Sequence, residues 1–269
     1  MTHDNYHMLR WGGVRTGLKQ GVGKYLHRLY MRLRYRDGRV TVIEDGLLKG
    51  VRIRQYVRTV TGAFANGIYE QWLQDQLARE LKRGDTFFDV GANGGFFSLL
   101  AARLVGPRGT VVGFEPHPDT ARQAEAQLKA NAFHHARIVR AAVSDAEGFA
   151  FFTDGETSVV QRLTGLPGAE NAAHSQIRVA TTTLDAAILR HGLPQVVKID
   201  IEGAELFALR GARKLLRTKK TVIMLEIHSE LLYREIRPML QGFGFKLFRV
   251  CGEPVGDEYV RFVVARPNE

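Results

Sequence analysis

From residue 85 onward, short runs of β-branched and aromatic residues alternate with stretches in which apolar positions fall three or four apart. The runs predict seven strands, at 86–90, 110–114, 137–142, 195–199, 221–226, 245–250 and 259–265. The stretches between them predict helices on both faces of a mostly parallel sheet. Residues 148–182 break this rhythm. Phe149–Phe152 and Ile177–Thr182 read as an additional strand pair, with the Gly-, Pro- and Asn-rich stretch from Gly165 to Ala173 as a mobile loop between them. Ahead of the alternation, Tyr69–Leu81 has helical spacing and ends at Gly84, a C-terminal cap, while Arg39–Ile43 and Leu48–Ile53 flank Asp45-Gly46 as a small hairpin. Further upstream, Leu18, Val22, Leu26, Leu29 and Leu33 form an apolar stripe whose gaps hold Lys19, Lys24, Arg28, Arg32 and Arg36. That is the pattern of a basic amphipathic helix over 17–36, although Gly21 and Gly23 each cost it about 1 kcal/mol relative to alanine.

Charge divides the chain along the same line. The net charge of +10 is all N-terminal: residues 10–58 hold 13 Lys or Arg against 3 Asp or Glu, and the remainder holds 25 of each. Residues 1–60 therefore read as a basic extension of helix and hairpin, and 61–269 as the domain that does the chemistry. The extension has two readings: peripheral contact with an anionic membrane face through 17–36, or a helix packed on its own domain with its basic side in solvent. No run of about 18 apolar residues and no apolar segment at the N-terminus points to a transmembrane span or a secretory peptide. The single Cys251 excludes an internal disulfide framework, so the expected compartment is reducing and cytoplasmic.

The chemistry gathers at the carboxyl ends of the runs. Thr86–Ser98 is a buried strand running into a glycine-rich turn and then a helix, with Asp89 at the strand end and Gly91 and Gly95 free to take positive φ. The next strand ends in Glu115-Pro116, where a doubly wound fold holds the two hydroxyls of an adenosine ribose. Asn93 replaces the middle glycine that a dinucleotide turn uses to approach a pyrophosphate. A donor without phosphate, S-adenosylmethionine, suits Asp89 and Asn93 better. Asp145, following Ser144, is placed either to accept from an adenine amino group or to serve a turn. The later runs release Lys198, Asp200 and Glu202, then Glu226 and His228, at the same sheet edge.

These pieces resemble the FkbM-type S-adenosylmethionine-dependent methyltransferases. The resemblance rests on Gly67-x-Tyr69-Glu70, Phe88-Asp-Val-Gly-Ala-Asn-x-Gly95, Phe114-Glu-Pro116, Ala142-Val-Ser-Asp145, Thr183-Leu-Asp185, Lys198-Ile-Asp-Ile-Glu-Gly-Ala-Glu205 and Leu225-Glu-Ile-His228. It covers roughly Leu48 to Ala265. It implies a class I methyltransferase Rossmann-like fold and O-methylation of a sugar, glycan or natural-product hydroxyl. It further implies a donor site formed by Glu70, Asp89, Gly91, Asn93, Gly95, Phe96, Glu115, Pro116, Ser144, Asp145 and Asp200.

In that reading His228 or Asp200 accepts the hydroxyl proton, Lys198 orients a carboxylate or the acceptor oxygen, and Glu202 holds a neighbouring hydroxyl. Asp200, Glu226 and His228 could instead ligate a divalent metal, but nothing in their spacing demands one, so metal independence is expected. Three rival functions remain. A nucleic-acid methyltransferase would use the basic extension, yet Ile199-Asp200-Ile201-Glu202 stands where adenine amino methylation wants an Asn/Asp-Pro-Pro-aromatic motif. Cys251 is remote from the pocket and a poor thiolate for pyrimidine C5, so no nucleic-acid partner is expected. Asn93 weakens a nicotinamide-dependent dehydrogenase. A non-catalytic module holding S-adenosylmethionine or a glycan is the third.

Overall fold

Neighbouring apolar residues of the predicted strands bury on opposite sides of one sheet. Phe87, Val111, Val196, Met224 and Val264 pack into one core, and Phe88, Val112, Val197, Ile223 and Val263 into the other. Strands covered on both faces have no solvent side, which is why their runs are apolar throughout.

The computed structural model describes residues 38–54, 64, 67–153, 162–164 and 176–268, within a unit spanning Asp37–Glu269. The basic helix expected at 17–36 and the loop expected at 165–173 lie outside the described residues. The described elements begin with β1 (Val40–Val42), β2 (Arg52–Arg54), α1 (Gln71–Glu80), β3 (Thr86–Val90), α2 (Phe96–Val105), β4 (Thr110–Phe114), α3 (Pro118–Ala130) and β5 (Ala136–Val139). A second group follows: β6 (Ala142–Val143), β7 (Gly148–Thr153), β8 (Arg162–Thr164), β9 (Gln176–Thr182) and α4 (Leu184–His191). The chain continues with β10 (Val196–Ile199), α5 (Glu205–Arg210), α6 (Arg213–Thr218), β11 (Val222–Glu226), α7 (Glu230–Gly242), β12 (Phe245–Arg249) and β13 (Phe262–Pro267).

The main sheet has seven strands in the order β12-β13-β11-β10-β3-β4-β5, and β13 runs antiparallel to both its neighbours. Helices α1, α2 and α3 cover one face, and α4 to α7 the other. This is the mostly parallel, two-sided sheet expected from the alternating pattern, and the class I methyltransferase arrangement that the family resemblance implies. Chain order reverses between β3 and β10, so their carboxyl ends open a crevice of the kind in which such sheets bind ligands. Gly91 seals its floor: a Cβ there would lie 1.9 Å from the Asp200 carbonyl oxygen, and its φ is +80°. No helix among the described residues is long and apolar enough to cross a membrane.

Several boundaries differ from the sequence pattern, among them the hairpin's second strand, expected from Leu48 but beginning at Arg52. The third strand, expected over 137–142, leaves the sheet at Val139, where the Ala141 N–H turns back onto the Val139 carbonyl at 2.9 Å. Ala142 and Val143 pair instead with β9 in a separate sheet of order β6-β9-β7-β8, which contains the expected additional strand pair as β7 and β9. The last strand begins at Phe262 rather than residue 259. The hairpin of β1 and β2 falls within the Asp37–Glu269 unit rather than with the residues before it. Its Ile43, Leu48, Val51 and Ile53 bury in the same core as Leu73 and Phe96, and Gln127 of α3 and Asn131 at the C-cap of that helix hydrogen-bond both ways with the β2 backbone.

Candidate functional site

The turn after β3 is built around two carboxylates. Asp89 is fully buried, and its Oδ2 accepts the Ser98 hydroxyl at 2.7 Å. Glu115, at the end of β4, accepts the Asn93 N–H on Oε2 and the His117 N–H on Oε1, both at 2.9 Å. Burial pushes its carboxyl up to about 7, with the two backbone N–H groups pulling the other way. Asn93 holds φ +47°, and its own Oδ1 accepts the Gly94 N–H at 2.8 Å, a local bond that lets a short polar residue adopt the left-handed conformation.

In front of this turn lies a cavity of about 230 Å³, bordered by Tyr69, Glu70, Gly91, Asn93, Glu115, Pro116, Asp200, Glu202, Glu226 and Arg261. Asp89, Gly95 and Phe96 support it from behind. Gly95 lets α2 approach Ala124, and the Phe96 ring packs on those of Phe64 and Tyr69 at 4.8 and 5.4 Å. Ser144 and Asp145 do not border the cavity. The Ser144 carbonyl abuts Gly211, Asp145 is exposed, and the wall nearest them is Ala141, Ala142 and Val143. Each Glu115 oxygen accepts one backbone N–H and keeps capacity for a ribose hydroxyl. The cavity's basic side chain, Arg261, is paired with Glu226 rather than free for a phosphate. The residues present fit a nucleoside donor without phosphate.

The second half of the site is an acid–base cluster. Pairing β10 with β3 sets Lys198 beside Asp89. The buried ammonium donates to the Gly91 carbonyl at 3.0 Å and lies 3.4 Å from Asp89 and 3.5 Å from Asp200. Burial disfavours its charge, but Asp200, Asp89, Glu70 and Glu226 outweigh that and hold the group above the ordinary lysine value. Of the two roles expected for Lys198, its contacts are with carboxylates and a carbonyl, and it does not border the larger cavity. It borders a narrower crevice with Trp72 and Phe262, which shares Asp200 and Glu226 with that cavity.

His228 follows β11. Its Nδ1 is 2.7 Å from Oε1 of Glu205, and its Nε2 is 3.4 Å from Glu202, 3.5 Å from Glu226 and 3.7 Å from Asp200. That Nε2 is buried and has no hydrogen-bond partner among the described residues. Burial alone would lower the imidazole's pKa; Glu205, Glu202 and Glu226 outweigh it and hold the group above the ordinary value. Asp200, Glu226 and His228 present ligand atoms within 4.8 Å of one another, a set that could receive a divalent ion. Two of the three are already compensated, Asp200 by Lys198 and Glu226 by Arg261 at 2.6 Å.

The structure thus brings together Glu70, Gly91, Asn93, Glu115, Pro116, Asp200 and Glu202 on the cavity, with His228 against its acidic side. Sequence reasoning assigned no role to Glu205, Tyr69 or Arg261. Glu205 stood inside a quoted motif, but its burial in the first turn of α5 has no sequence signal. Tyr69 likewise stood beside Glu70, to which its hydroxyl is hydrogen-bonded, and burial holds that hydroxyl well above the ordinary tyrosine value.

Comparison with known proteins agrees with this geometry. A family model described as the methyltransferase FkbM domain matches residues 89–247. The 31-O-demethyl-FK506 methyltransferase FkbM of Streptomyces tacrolimicus is 30% identical over 198 residues, which span 62% of this chain and 74% of that one. The AMB antimetabolite synthetase AmbE of Pseudomonas aeruginosa is 30% identical over 177 residues, 53% of this chain and 8% of that one. A solved structure of methyltransferase FkbM from Methylobacillus flagellatus KT is 13% identical with a TM-score of 0.48, covering 77% of this chain and 56% of its own. With a family model matched over more than half its length and a relative 30% identical, the chain belongs to the FkbM family of S-adenosylmethionine-dependent methyltransferases.

Proposed function

We propose that the protein methylates a hydroxyl of a neutral, polyhydroxylated acceptor, a sugar, glycan or comparable natural product. The observation that carries this reading is the His228 imidazole, fixed through one nitrogen and unbonded at the other, among carboxylates that border the cavity. An alcohol attacks poorly until its proton leaves, and Nε2, 3.4 and 3.7 Å behind the cavity-lining Glu202 and Asp200, is placed to receive that proton across them. When bound, S-adenosylmethionine supplies an electrophilic methyl. Glu115 would hold its ribose hydroxyls, and Gly91, Asn93 and Glu70 would flank the rest. Asp200 and Glu202 are hydrogen-bond acceptors suited to the neighbouring hydroxyls of a polyol. The same carboxylates repel a phosphate backbone, which argues against a nucleic-acid acceptor. The O-methylation in the name of the Streptomyces tacrolimicus relative supports the reading.

Calorimetry with S-adenosylmethionine and with NAD, followed by methyl transfer from labelled donor to a panel of sugars and polyols, tests it. Donor binding with labelled ether product is expected. Binding without transfer to any acceptor would favour a non-catalytic module, and NAD binding in its place a dehydrogenase. In the same calorimetry Glu115→Ala should weaken the donor roughly 10- to 150-fold, since it removes a charged acceptor and strands two backbone donors. Because Lys198 and Arg261 already compensate Asp200 and Glu226, two of the three candidate metal ligands, dialysis against a chelator should leave turnover within about twofold. Loss of activity restored by magnesium would assign a metal role to Asp200, Glu226 and His228.

A further inference from the structure

We propose that Glu205 is the positioning residue of the site, holding His228 in the tautomer that keeps its Nε2 lone pair turned to the acidic side of the cavity. The inference rests on the O-methyl transfer proposed above and concerns how its base is kept ready. The distances decide which nitrogen keeps the proton of the neutral ring. Nδ1 is 2.7 Å from Glu205, a full hydrogen bond, whereas Nε2 is 3.4–3.7 Å from its three carboxylate neighbours. When the imidazolium loses one proton, the one held by the shorter bond stays, and the lone pair forms on Nε2.

Glu205 itself is in an expensive position. It is 0% exposed, its Oε2 is buried without a hydrogen-bond partner among the described residues, and it sits at the start of a six-residue helix. A buried acceptor left unmade costs a fold free energy, and the two bonds that Glu205 does make go to His228 and Gly203. Its Oε1 also accepts the Gly203 N–H at 2.9 Å, which ties the turn carrying Glu202 to the same oxygen that orients the imidazole. Glu202 and Gly203 in that turn hold φ +52° and +107°. One buried oxygen therefore sets both the histidine and the acidic loop facing it.

The groups facing His228 are Asp200 beyond β10, Glu202 in the turn, Glu205 on α5 and Glu226 on β11, with Arg261 compensating Glu226 and Lys198 compensating Asp200. Among them Glu205 alone is on the Nδ1 side. Nitrogen-15 correlation spectra of the imidazole, recorded on the full chain above the ring's pKa, report the tautomer directly. The wild type is expected to carry its proton on Nδ1, and Glu205→Leu to shift toward Nε2–H. Glu205→Gln keeps an acceptor but loses the charge; its kcat should fall about 10- to 10³-fold, with donor affinity and KM for the acceptor little changed. An Nε2–H wild-type ring, or a Glu205→Leu protein that keeps both the Nδ1–H signal and full turnover, would overturn the assignment. The spectra need no acceptor, so they judge Glu205 even if the proposed transfer fails.

Discussion

Replacing His228 by alanine should lower kcat by about 10²–10⁴-fold while S-adenosylmethionine binds almost as before. His228 does not border the 230 Å³ cavity; its neighbours there are Asp200, Glu202 and Glu226. Removing the imidazole therefore deletes the proton acceptor and leaves the Glu115 side of the cradle intact. The pH dependence has a definite sign. The neighbouring carboxylates hold the imidazole above its ordinary 6.5, so the ring is protonated and inactive as a base at lower pH, and the wild-type rate should climb as pH rises through that elevated value. The alanine variant should lose this limb of the profile. A variant that keeps the wild-type rate and the same rising limb would place the proton acceptor elsewhere, with Asp200 the next group to replace.

Lys198→Met is expected to act on the fold. The ammonium is 5% exposed and lies between Asp89, at 1%, and Asp200, while donating to the Gly91 carbonyl. Methionine fills much the same space, so the loss is chiefly electrostatic. Removing one partner of a buried ion pair costs about 3–5 kcal/mol because the other charge is left uncompensated. For a chain of this size that corresponds to a drop in Tm on the order of 10 °C. Burial already holds the Asp89 carboxyl above its ordinary value, with Lys198 opposing it. Without Lys198 it rises further. A folded-state pKa above the unfolded one means stability is present at low pH and lost as pH rises, so the variant's deficit should shrink on acidification. Thermal melts at two pH values read this, and a deficit of a degree or so that ignores pH would show that the ammonium does not compensate Asp89.

The fold was legible because burial on both faces leaves a short, largely apolar run, and those runs fall where β3, β4, β10 and β11 are found, while the edge strand β12 shows alternation instead. What apolar character does not encode is where a strand leaves its sheet. Ile138 to Val143 is nearly continuous in hydrophobicity, interrupted by Arg140, yet the chain crosses there from one sheet to another. In the site, Asn93 and Glu115 were readable because they occupy fixed offsets from a glycine turn. Glu205 and Arg261 were not. A glutamate opening a short helix looks like a solvated cap, and Arg261 reaches Glu226 only because β13 inserts next to β11, a pairing between residues 35 apart in sequence. Asp145 shows the converse: its offset was suggestive, but the chain after Val143 turns toward Gly211 and away from the cavity.

The absence of a side chain at Gly91 has a mechanical consequence. With the turn after β3 pressed against the Asp200 carbonyl and its Gly91 carbonyl bonded by Lys198, the tips of β3 and β10 are joined by backbone contact and a buried hydrogen bond. A side chain placed at Gly91 would have to push those two strand tips apart, so one substitution there reaches both halves of the cavity wall at once.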